Sequence, residues 1–175
     1  LLLPMIDTPE QAASMASAMR YPPMGNRGIG CGLARSSRWN RFSSYLQEAN
    51  AQVCLLVQVE TVEALNNIDE IAATPGVDGV FIGPADLSAS MGYLGQPGHP
   101  EVVAAIQKAL ARIAAAGKPS GILATQEAQA HQWLEAGVSF AAVGVDISLL
   151  SMAAQGLASR FTQTASPVVV SRNGY

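Results

Sequence analysis

Charge, aromatic rings and cysteine are all scarce in this chain of 175 residues: 13% of its residues are charged, 6% are aromatic and two are cysteines. Cys31 and Cys54 make no disulfide framework and have no metal-ligand spacing, so they fit a reducing, cytoplasmic compartment. Ten basic residues stand against thirteen acidic ones, a net charge of −3. That excludes the basic footprint of a nucleic-acid-binding protein. No run reaches the roughly 18 apolar residues of a spanning helix, so no membrane partner is expected. The opening Leu-Leu-Leu-Pro lacks the basic segment of a signal peptide. It starts inside an apolar run and without Met, and the expectation is that residues of the natural protein precede it. Nucleophiles and bases are equally sparse. His99 lies in a loop and is expected to be structural, and His131 lies inside a helix. Neither has the Ser or Cys partner of a catalytic triad. Lys108 and Lys118, the only lysines, end no strand, which argues against Schiff-base chemistry.

What the chain has is apolar bulk. Hydrophobic residues make up 49% of it, enough for a sizeable core. Five continuous apolar runs, 1–6, 53–59, 80–82, 121–124 and 140–145, have the unalternating character of parallel strands buried on both faces. Helical patterns fall between them at 9–20, 61–73, 100–116, 126–136 and 148–160. In the third, Val102, Ile106, Leu110 and Ile113 repeat with helical period. Residues 162–175 are polar and are expected to form a tail. A strand–helix alternation repeated five times is a βα array. It is either a complete open sheet or the C-terminal part of a (β/α)8 TIM barrel, which needs roughly 200 residues or more.

The strand ends carry the chemistry. Asp7, Glu60, Asp86 and Asp146 each follow an apolar run, on the edge where α/β folds bind ligands. Helix capping accounts for any one of them equally well. Glu60 and Asp86, on consecutive strands, are the pair most suited to sharing a hard divalent cation. Mg²⁺, Mn²⁺ or Co²⁺ accepts such oxygens and would keep positions open for a chelating 2-oxo acid. Gln58 lies two residues before Glu60 and so points the same way. It is expected to orient the bound acid rather than the metal. Gly83-Pro84-Ala85-Asp86 is expected to be a small-residue turn that brings backbone close to a ligand. Arg20, Arg27, Arg35, Arg38 and Arg41 crowd a Gly- and Pro-rich loop, as a solvated rim, an anion-facing lid or a subunit contact.

These residues resemble a known family. Leu-Leu-Pro-Met-Ile-Asp at 2–7, Arg20-Tyr21-Pro22-Pro23, Gln58-Val59-Glu60-Thr61, Gly79-Val80-Phe81-Ile82-Gly83-Pro84-Ala85-Asp86-Leu87-Ser88 and Val143-Gly144-Val145-Asp146 are similar to the HpcH/HpaI aldolases. The resemblance runs from residue 1 to about 161. It implies a (β/α)8 barrel, of which this chain carries strands four to eight. It implies a metal-dependent aldolase acting through a pyruvate enolate on 4-hydroxy-2-oxo acids or 2-keto-3-deoxy sugar acids. Glu60 and Asp86 match the metal carboxylates, and Gln58 and Ala85 match substrate-binding positions. The family's base His and its stabilising Arg belong to the first strands, upstream of residue 1, so no catalytic residue of that kind is expected here. A homo-oligomer, specifically a hexamer with exchanged last helices, is implied too, and the helix at 148–161 is expected to be buried against a barrel. Two other readings compete: a lyase acting on an acyl-CoA thioester, and a truncated barrel that only binds.

Overall fold

The structure, a computed structural model, describes residues 1–162; the expected tail lies outside them from residue 163 onward. Five parallel strands form one sheet in chain order: β1 (Leu2–Leu3), β2 (Leu56–Val59), β3 (Gly79–Ile82), β4 (Ser120–Leu123) and β5 (Phe140–Ala142). This is an α/β fold with the sheet of a partial barrel. Register separates its two faces. Val59, Ile82 and Ile122 are aligned and fully buried, and they form the face on which the helices pack. Gln58, Phe81, Gly121 and Phe140 line up on the opposite face. There the Phe81 and Phe140 rings lie 5.8 Å apart on either side of Gly121, and a Cβ on Gly121 would come within 2.6 Å of the Phe81 ring.

Helices α1 (Pro9–Ala18), α2 (Tyr45–Gln52), α3 (Val62–Asn66), α4 (Ile68–Ala73), α5 (Pro84–Ser90), α6 (Pro100–Ala115), α7 (Glu127–Glu135) and α8 (Asp146–Ala158) fill the connections. Helix α1 opens with a capping box between Thr8 and Gln11, and Pro9 stands in its first turn. The expected stripe of α6 is the inward one: Val102, Ile106, Ala109, Leu110 and Ile113 are buried against the sheet and α4. His99 caps α6 through Nδ1, which accepts the Glu101 N–H at 3.3 Å, and its ring stacks on Tyr93 at 3.8 Å. Its expected structural role is therefore observed.

Three expectations are corrected. The first strand covers two residues rather than 1–6, because Met5 turns left-handed at φ 56°. The helix expected over 61–73 breaks at Asn67 into α3 and α4. The Arg112 guanidinium of α6 explains the break. It takes the carbonyls of Leu65 and Asn66 at 2.6 and 3.2 Å and grips Asp69 through two nitrogens at 2.9 and 2.8 Å. Residues 84–90 form a helix rather than a turn, with Pro84 in its first turn and Leu87 and Ser88 buried. Helix α8 has no buried residue within this single chain, where Leu150 is 71% exposed; the expected packing of Leu149, Leu150, Met152, Ala153 and Leu157 on a barrel, a neighbour's included, calls for a surface outside it. The single sheet ends at β5 and offers α8 no second apolar layer.

Candidate functional site

Glu60 immediately follows β2, and its side chain stands on the same face as Gln58. It is 2% exposed, and it is the one acidic residue among the buried positions described. Three elements hold its carboxylate. The Met5 N–H, at the end of the first strand, donates to Oε1 at 2.8 Å. The Gln58 Nε2 donates to Oε2 at 3.0 Å. Gly83, closing β3, leaves room for Oε2, since a Cβ there would stand 2.2 Å from it. Burial pushes the Glu60 carboxyl above the ordinary carboxylate range. The two hydrogen bonds oppose that rise, and the negative charges of Asp86 and Asp7 add to it.

Asp86 stands in the first turn of α5, exposed at the surface, where the helix dipole favours a carboxylate. Ala85, beside it, is half-buried. Gln58 and Glu60 are thus joined directly, the charge of Asp86 acts on Glu60, and Ala85 precedes Asp86 in α5. The other two strand-end carboxylates have different surroundings. Asp7 accepts a short hydrogen bond from the Thr61 hydroxyl, and its carbonyl takes the Asn67 side chain at 2.8 Å, so it ties the first strand to the α3–α4 corner. Asp146 is exposed and, among the described residues, accepts its neighbour's N–H, from Ile147 at 2.7 Å.

The donor set fits a divalent cation. Among the described residues no basic group pairs with Glu60, and its nearest charges are acidic. A cation beside a carboxylate buried in that setting would favour its ionised form. No cluster of three His, Cys, Asp or Glu exists among the described residues, so a cation held here would take at most two such ligands from them and leave the rest of its shell to water or substrate.

A cavity of about 510 Å³ lies against Ala85 and is lined also by Leu123, Gln96, His99, Gln126 and Gln129, while Glu60, Gln58 and Asp86 are not among its lining residues. It has no charged Asp, Glu, Lys or Arg in its wall. The sequence reading missed this wall. The signal for it was the Gly95, Pro97, Gly98 and Pro100 spacing, which builds a fixed loop after α5. The arginine-rich segment lies elsewhere. Arg27 sits 4.5 Å over the Tyr21 ring and donates to the Tyr45 hydroxyl at 3.0 Å, and none of the five arginines lines the cavity.

The sequence profile of the HpcH/HpaI aldolase/citrate lyase family matches residues 1–153. The chain belongs to this family. Relatives include a hydroxypyruvate/pyruvate aldolase of Pseudomonas aeruginosa, 58% identical over 92% of this chain and 60% of its own length. A 4-hydroxy-2-oxo-heptane-1,7-dioate aldolase of Shigella flexneri is 54% identical over 99% of this chain and 65% of its own. The crystal structure of an HpcH/HpaI aldolase/citrate lyase family protein from Burkholderia cenocepacia superposes with a TM-score of 0.83 at 42% identity, covering 93% of this chain and 65% of that one. The HpcH/HpaI chain described here thus spans 60–65% of the length of these relatives. No helix among the described residues is long and apolar enough to cross a membrane.

Proposed function

We propose that the complete protein is a divalent-metal-dependent aldolase of cytoplasmic location. It would cleave 4-hydroxy-2-oxo acids, such as 4-hydroxy-2-oxoheptanedioate, to pyruvate and an aldehyde. The observation that carries this is the Glu60 carboxylate, buried among acidic neighbours beside Asp86 and lacking a basic partner among the described residues. Glu60 and Asp86 would hold the ion, whether Mg²⁺, Mn²⁺ or Co²⁺. When bound, such an ion polarises the 2-oxo carbonyl and stabilises the enolate left by carbon–carbon cleavage. Gln58 fixes the Glu60 carboxylate through one amide hydrogen and keeps a second hydrogen and its carbonyl for the substrate. Ala85 walls the site with a methyl group, so the acid meets little bulk there. Proton transfer would fall to a His, with an Arg stabilising developing charge, on strands preceding residue 1 in a (β/α)8 barrel of which these are strands four to eight. The family resemblance supports a homo-oligomer, a hexamer, as the working form.

Aldehydes of sugar-acid type, released from 2-keto-3-deoxy acids, or hydroxypyruvate-type substrates form a second reading. The uncharged polar wall of Gln96, Gln126 and Gln129 favours it, since hydroxyls suit such groups better than a second carboxylate does. The absence of Lys and Arg from that wall argues against an acyl-CoA thioester. Pyruvate release from both substrate types by the complete protein, with and without a chelator, tests the proposal. Turnover that survives complete chelation would overturn it, and a complete protein that binds pyruvate and metal without turnover would leave the binding-only reading.

A further inference from the structure

We infer that Met5 and Gly83 are positioning residues that set the orientation of the Glu60 carboxylate, Met5 through a left-handed backbone and Gly83 through the absence of a side chain. The inference rests on the metal-site reading of Glu60.

Met5 is unusual in conformation rather than in chemistry. Its φ is 56°, a region that non-glycine residues seldom occupy. Its side chain is about half exposed, so packing does not require a methionine there. What the conformation does is aim the N–H. Leu3 pairs with Val57 in the regular ladder, and the ladder resumes where the Ile6 N–H donates to the Gln58 carbonyl at 3.1 Å. Between them Pro4 has no N–H to give, and Met5 turns its own out of the ladder onto Glu60 Oε1 at 2.8 Å. A local bulge of this kind re-aims a group beside a site while pairing continues on either side.

Gly83 acts on the other oxygen. Its φ is −99°, an ordinary value, so backbone freedom does not demand a glycine. Space does: a Cβ would stand 2.2 Å from Oε2 and 3.0 Å from the Glu60 Cβ. Oε1 is thus held from the first strand, and Oε2 is held by Gln58 and seated over the gap at the end of β3. One rotamer of a ligand is fixed before any ion arrives, as supporting contacts do at metal sites.

The test is Mn²⁺ binding by the full chain without substrate, followed by loss of the free-ion paramagnetic resonance signal, with a thermal melt for each variant. Glu60→Gln is expected to lose Mn²⁺ binding. Met5→Gly keeps the N–H and adopts the left-handed backbone freely, so it is expected to bind at least as tightly as the unaltered chain. Met5→Ile preserves bulk but resists that backbone, and is expected to bind about ten- to a hundredfold more weakly. Gly83→Ala is expected to weaken binding by at least a similar factor. A packing role for Met5 predicts the opposite order, isoleucine tolerated and glycine harmful, and that order would overturn the inference for Met5. Unchanged affinity in Gly83→Ala would overturn it for Gly83. If Met5→Ile does not fold, Met5→Gly decides alone, and binding about tenfold weaker in it refutes the proposal. Retained binding in Glu60→Gln, or no binding by the unaltered chain, would instead remove the metal-site reading beneath it.

Discussion

The carboxyl ends of β2 and β5 have the same design in sequence, an apolar run followed by an acid and a helix, and they differ in what surrounds the acid. Glu60 is buried, gripped at both oxygens and backed by a second carboxylate. Asp146 is exposed and, among the described residues, bonds to the next residue's amide. The helices beyond differ likewise. Helix α6 buries a full stripe on the sheet, whereas α8, with still higher apolar content, buries nothing. An acid at a strand end becomes a candidate ligand where neighbouring strands close over it, and an apolar helix stabilises a fold only where a surface receives it.

The largest effect that would break this contrast lies in the acids themselves. In the complete protein Glu60→Ala or Asp86→Ala should remove metal-dependent turnover, a loss of several kcal/mol or on the order of a thousandfold. Asp146→Ala should stay within about twofold, as an exposed substitution. Pyruvate assays with added metal check both, and comparable losses would erase the distinction. The helices come next. Ile113→Ala on α6 should cost about 2–5 kcal/mol in urea unfolding of this chain, since it empties a fully buried site. Leu150→Ala on α8 should stay within about 0.5 kcal/mol. A large cost at Leu150 would show that α8 is covered in solution. Third, Gln58→Ala should lower kcat/KM by about 1.5–3 kcal/mol, with pyruvate affinity moving more than metal activation. The reverse split would assign Gln58 to Glu60 alone.

The smallest effect is in pH. Glu60 titrates above its unfolded value, so the native chain keeps a proton that the unfolded chain releases. The stability this contributes is full below the ordinary carboxylate range and is lost as pH rises through the raised folded value. Urea melts of the metal-free chain across the mildly acidic range should show that fall. Glu60→Gln should flatten it, and Mn²⁺ should offset it at neutral pH. A metal-free chain that grows more stable as pH rises through that window would contradict the raised value.

Sequence made the strands legible as apolar runs, but the expected burial on both faces holds only for β3 and most of β4: β2 alternates buried with half-buried positions, and β1 and β5 have no buried residue. It made α6 legible through period, and the Gln58–Glu60 pair through the period of two. Other features depend on partners far along the chain. The break at Asn67 comes from Arg112, more than forty residues later, and nothing local to 61–73 announces it. Helix α5 hid behind Gly83-Pro84, which signals a turn and a first helical turn equally well. Helix α2 buries only Ala49 and shows no apolar stripe. The left-handed Met5 was illegible because nothing in a methionine specifies the sign of φ. For α8, composition says that the helix needs covering but not what covers it.

Because the strands lie in the sheet in the order in which they occur along the chain, each meets its neighbour in the unit made just before it. Within these five strands, synthesis presents β2 to β1, then β3 to β2, each to the strand made before it. Such wiring closes each connection between consecutive strands, the longest running from β1 to β2, and adds each new strand to the edge left by the last. Glu60 and Asp86 follow the second and third strands, so their relative placement can be set before β4 and β5 have emerged.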